Sequence, residues 1–184
     1  MPAPDNRAAD VAEADAGHAL TTVPGWGLVA MGLTACVAAW IADGQRQPEA
    51  QLTTWLVTAV VASQFGIVAA WNKVRRIGVV RFRQLGRRGW LYAAQSGVGA
   101  ITTLLLVIVD ALWALPGAWL LVYGATTFAA GRLSVPPVRH LGAVFVALGV
   151  VSLATSVPDN WLLLAGFGVA QLVGGLVIAL RHHG

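Results

Sequence analysis

The sequence predicts an all-α integral membrane protein: six transmembrane helices arranged as three hairpin repeats, with both termini in the cytoplasm. Three observations carry that expectation. Long apolar runs recur at helix length, the basic residues gather in alternate connectors, and one short frame appears twice. The 184-residue chain is 57% hydrophobic and only 11% charged, where a soluble domain carries about 25% charged residues. Most of such a chain has no water to face.

The apolar runs fall at about 24–42, 52–72, 90–112, 116–131, 139–157 and 161–180. A helix needs roughly 20 apolar residues to cross the hydrocarbon, and these runs do not alternate as barrel strands would. Lipid offers no partner to an open backbone group, so helices are required. Together the runs make one transmembrane domain over residues 23–184. Residues 1–22 differ: Asp5, Asp10, Glu13 and Asp15 against Arg7 make an acidic tail. No basic stretch leads into an apolar core there, so the segment reads as a flexible cytoplasmic tail, not a cleaved signal peptide.

Charge placement predicts the orientation. The connector over 73–89 holds seven of the twelve basic residues: Lys73, Arg75, Arg76, Arg81, Arg83, Arg87 and Arg88. Arg132, Arg139, Arg181 and Arg7 fall on the same side, leaving Arg46 alone on the other. By the positive-inside rule that side is the cytoplasm of a bacterial inner membrane. Trp55, Trp119 and Trp161 open the even-numbered helices at the opposite side, where indoles are expected to anchor in the headgroup layer. The net charge of +4 does not indicate nucleic acid, because the charge is pinned at a membrane. The connector's basic residues instead meet anionic lipid headgroups or simply set topology.

The repeated frame is P-x-x-W-L-L-x-x-G, in Pro116–Gly124 and again in Pro158–Gly166. Small residues also recur at helical spacing: Gly124 and Gly131, Gly142 and Gly149, and Gly166, Ala170 and Gly174. They permit close helix approach, within one chain or between copies in a homo-oligomer. With Gly32, Gly97, Pro116 and Pro158, these features resemble the acid-resistance membrane protein family HdeD and its short hairpin repeats. The resemblance spans most of residues 24–181, although the first hairpin lacks the proline–tryptophan frame and carries Pro48 late in its turn. It implies a six-helix inner-membrane protein linked to stress tolerance, and it transfers no catalytic residue.

Four polar residues are pocket candidates: Gln64, Gln95, Gln171 and Asp110. Gln64 lies nine residues past Trp55 and Gln171 ten past Trp161, which puts both amides roughly 14 Å below the outer surface. They either clasp two helices or line a polar pocket, which Gln95, Thr102, Thr103, Thr126 and Thr127 would join. Asp110 is the one acid within an apolar run, close to the outer end of its helix. An intramembrane acid is a functional candidate by default, and its place near the surface also suits an interfacial role.

Cys36 stands alone in the chain, so no disulfide framework or thiolate metal site is expected. His140 has no obvious second ligand, and His18, His182 and His183 are terminal. No nucleophile–base grouping or phosphate loop appears. Neither a cofactor nor an enzyme activity is expected. The leading reading is a non-enzymatic membrane protein acting by helix packing or by binding lipids or partners. The alternative is a small transporter or channel with a mid-bilayer polar pocket.

Overall fold

The computed structural model describes residues 25–77, 97–131 and 136–181. The acidic tail, Gln95, Arg81, Arg83, Arg87, Arg88 and most of the basic connector lie outside the described residues. What is described is helical, with no strand among it. In chain order the helices are α1 (Gly25–Asp43), α2 (Pro48–Ile77), α3 (Gly97–Ile108), α4 (Leu115–Ala130), α5 (Pro136–Ala154) and α6 (Asp159–Arg181). All but α3 are long and apolar enough to cross a membrane, α4 when the 3-10 turn Leu112–Ala114 before it is counted. This is the make-up of a multi-pass α-helical membrane protein. The earlier part of the third apolar run falls before Gly97, outside the described residues.

Prolines mark the helix starts. Pro48 and Pro136 are the first residues of α2 and α5, Pro116 sits in the first turn of α4, and Pro158 caps α6. A first-turn proline removes an N–H that has no intrahelical partner anyway. It explains why α5 and α6 begin a few residues before the runs anticipated from hydropathy. α2 also extends past its apolar run, through residues 73–77. Lys and Arg are good helix formers, so leaving the hydrocarbon gives no reason for the helix to stop. Arg75 lies over the Trp71 ring, 5.3 Å from its centre.

α3 ends in a Schellman turn. The N–H of Ala111 donates to the carbonyl of Leu106 at 2.9 Å and that of Asp110 to Val107 at 3.2 Å. Asp110 has φ 55, the left-handed conformation that Asp tolerates better than most side chains.

α4 and α5 share the most extensive interface, and glycine makes it possible. A Cβ on Gly124 would meet the Val146 backbone nitrogen at 2.6 Å, and one on Gly142 would collide with the Phe128 backbone. The small residues foreseen from spacing thus pack within one chain at this hairpin. α1 and α6 approach in the same way: a Cβ on Gly32 would lie 2.8 Å from the nitrogen of Leu172. Between these two interfaces sits the core, with Phe145, Leu120, Ile178 and Leu28 buried. α2 packs mainly on α1 and reaches the rest of the bundle through Trp55, with 6% of its apolar window buried against 44% for α6.

Candidate functional site

Gln171 is the polar centre of the bundle. It is 1% exposed, and its side-chain nitrogen points to the Tyr123 hydroxyl at 3.3 Å and the Met31 sulfur at 3.6 Å. One amide therefore ties α6 to α4 and to α1. Tyr123 in turn belongs to an aromatic trio with Phe145 and Phe167, with ring centres 4.7 to 5.2 Å apart and tilted or edge-on geometry. Such pairs favour these offset arrangements because the edge of one ring is positive and the face of another negative. α5 thus joins the site through Phe145.

The backbone at this point is unusual. Leu164–Ala170 forms a π-helical segment, and the Gln171 N–H donates to the carbonyl of Gly166, five residues back. Gly166 and Gly168 are both buried: a Cβ on Gly168 would come within 3.0 Å of the Cys36 sulfur on α1. Widened helical turns of this kind concentrate at functional sites. α4, which carries the other copy of the P-x-x-W-L-L-x-x-G frame, is α-helical over Leu115–Ala130.

A second polar cluster lies at the end where the short 44–47 and 155–158 connections run. Trp55 donates its indole N–H to Asn160 at 3.2 Å, and Asn160 donates to the Ala39 carbonyl at 3.2 Å. This joins α2, α6 and α1 at one residue. Beside it Ser152 donates to the Asp159 carboxylate at 2.8 Å, linking α5 to α6. Trp119 donates to Thr103 at 2.9 Å, holding α4 to α3.

These contacts revise the anchor expectation for Trp55. Trp55 is 5% exposed and packed into the core cluster of the bundle. The alanines of α1, among them Ala35 and Ala39, leave room for the ring in the core cluster, and Asn160 satisfies its N–H. Trp161, by contrast, is 57% exposed.

Of the three pocket candidates among the described residues, only Gln171 is buried. Gln64 is exposed on α2 and is not brought to Gln171, whose amide nitrogen turns to Tyr123 and Met31 instead. Half a helical turn separates Gln64 from the face of α2 that bears Trp55. Asp110 is exposed at the turn ending α3, and Gln95 lies outside the described residues. The threonines largely bond their own helices, Thr103 to the Gly99 carbonyl and Thr126 to that of Val122. Their hydroxyls close on the preceding turn, as is common in membrane helices. His140 likewise faces the Pro136 carbonyl at 3.0 Å. Among the described residues, no three His, Cys, Asp or Glu side chains are grouped to hold a metal.

Sequence reasoning passed over Tyr123, Met31, Asn160 and Ser152. For Tyr123 a signal existed: a tyrosine deep in an apolar run must find a partner for its hydroxyl. Gln171 is the complementary group at similar depth. Met31 and Ser152 have no such signature in an apolar helix.

No family model, curated protein or solved structure matches the chain.

Proposed function

We propose that the protein is a non-enzymatic, multi-pass protein of a bacterial inner membrane, with both termini cytoplasmic. It acts through packed helices and through what its surfaces bind. The observation that carries this reading is how the interior polar side chains are used: Gln171, Asn160, Trp55, Ser152 and Asp159 each join one helix to another. The surface partner on the cytoplasmic side is anionic lipid, bound by Arg75, Arg76, Arg81, Arg83, Arg87 and Arg88. Each basic residue near such a surface contributes about 1 kcal/mol. A role in stress tolerance follows from the resemblance to HdeD, and the orientation from the split of Lys and Arg.

A transporter is the second reading, and one observation favours it. The contacts of the Gln171 amide are long, 3.3 and 3.6 Å, and a π-helical segment ends at that residue. A weakly held amide beside a widened turn is open to exchange for a ligand.

Thiol accessibility separates the two readings. In a Cys36→Ser background, Gln171→Cys should resist a membrane-impermeant maleimide added from either side of sealed vesicles. Rapid labelling from one side would reveal a water-filled path and favour transport. Orientation has its own test: reporters fused after Arg83 and at Gly184 should read as cytoplasmic, and one after Gln47 as external. A periplasmic signal after Arg83 would overturn the topology.

A further inference from the structure

α2 has two faces, and among the described residues only one of them packs against the rest of the bundle. Trp55 is buried toward the bundle, and a Cβ on Gly66 would rest 3.7 Å from the Met31 sulfur of α1. At 100° per residue, Gln64 points directly away from Trp55. The face centred on it comprises Thr53, Val57, Val60, Gln64, Ile67 and Trp71, all exposed. Successive members are four, three, four, three and four residues apart. That is the 3.5-residue repeat of a coiled-coil seam, with one polar position near its middle.

Lipid alone suits the valines and the isoleucine but not the glutamine. A bare primary amide in hydrocarbon, with two donors and a carbonyl unsatisfied, is strongly unfavourable. The nearest charged residue along the helix is Lys73, nine residues away, or roughly 14 Å. Gln64 is therefore too deep to reach the headgroups.

We propose that this face is the interface of a homodimer in which the Gln64 side chains of two copies hydrogen-bond to each other. Three features select a second copy as the occupant. All copies of a multi-pass chain insert in one orientation, so a twofold axis along the membrane normal sets each seam residue against its own counterpart. An amide both donates and accepts, so Gln64 is complementary to itself at that depth. Residues 50–72 carry no charge, so two copies meet without like-charge repulsion. Val57, Val60 and Ile67 add β-branched side chains with few rotamers to lose on contact. The proposal requires α2 to cross the membrane, and it does not depend on the functional reading above.

The test uses the full chain in native membranes, in a Cys36→Ser background, with single cysteines and a mild oxidant. Val57→Cys, Val60→Cys and Ile67→Cys should form disulfide-linked dimers. Ser63→Cys and Phe65→Cys, a quarter turn to either side of Gln64, should do so roughly fivefold less. Adding Gln64→Leu to Val60→Cys should lower dimer yield about three- to tenfold, while Gln64→Asn should retain most of it. Gln64 is exposed and directed away from α1, so neither change disturbs the described packing. Equal yields on and off the seam would overturn the proposal. So would adducts of a mass other than two chains, or a yield indifferent to Gln64→Leu.

Discussion

Along the α4–α5 hairpin, glycines recur every seven residues on facing stripes, at Gly117, Gly124 and Gly131 and at Gly142 and Gly149. α2, nearly twice as long as α4, has one glycine, Gly66. The first pair is sealed backbone to backbone, and the second leaves most of its surface open. Both segments are rich in Val, Leu and Ala, so apolar content does not distinguish them. The difference teaches that burial in a membrane protein is set by how closely backbones can approach. Lipid tails are as apolar as leucine, and helix association must come from packing and hydrogen bonds.

The largest effect should come from breaking the seal. Gly142→Leu places four carbons against the Phe128 backbone and should destabilise the bundle by about 3 kcal/mol or more in reversible unfolding in bicelles. Gly99→Leu on α3, where a Cβ would meet nothing within 4 Å, should cost less than about 0.5 kcal/mol by the same assay. Equal costs would erase the distinction between sealed and open helices.

Polar residues sharpen the comparison at a smaller scale. Asn160→Leu removes the bridge from α6 to both α1 and α2 and leaves the buried Trp55 N–H without that acceptor, for about 1–2 kcal/mol. Gln171→Leu should cost about 1 kcal/mol. Gln64→Leu should leave the unfolding of the single chain unchanged, since Gln64 faces away from α1. The turn after α3 should respond on the same scale as Gln171. Asp110→Val, which tolerates the left-handed conformation poorly, should cost about 1 kcal/mol, and Asp110→Gly should be neutral or slightly stabilising.

Much of the scaffold was legible in the sequence because it depends on local signals. Helix-length apolar runs and heptad-spaced glycines are one-dimensional patterns with direct physical readings. Legibility failed where a residue's role depends on which way a helix is rotated. Gln64 and Gln171 lie at similar depth on parallel helices, yet one faces outward and the other into the core. Apolar residues surround both, so no amphipathic periodicity marks the inner face. In water, polarity would have labelled the outside; in lipid it does not. The same ambiguity made Trp55 look like a headgroup anchor when its ring is interior. The π-helical segment of α6 was invisible for a different reason, since Gly166 and Gly168 fit an ordinary helix equally well in sequence.

Helix rotation decides which residues are interior, and two tryptophans report on it most directly. Trp55 and Trp161 open α2 and α6 at the same end of the bundle, but Trp55 is 5% exposed and Trp161 57%. In variants retaining one or the other as the sole tryptophan, fluorescence quenching by lipids brominated near the headgroup end of their chains measures contact with lipid. Trp161 should be quenched several-fold more strongly than Trp55. Equal quenching of the two would mean that α2 is not turned as described, and that Trp55 is the surface anchor the sequence first suggested.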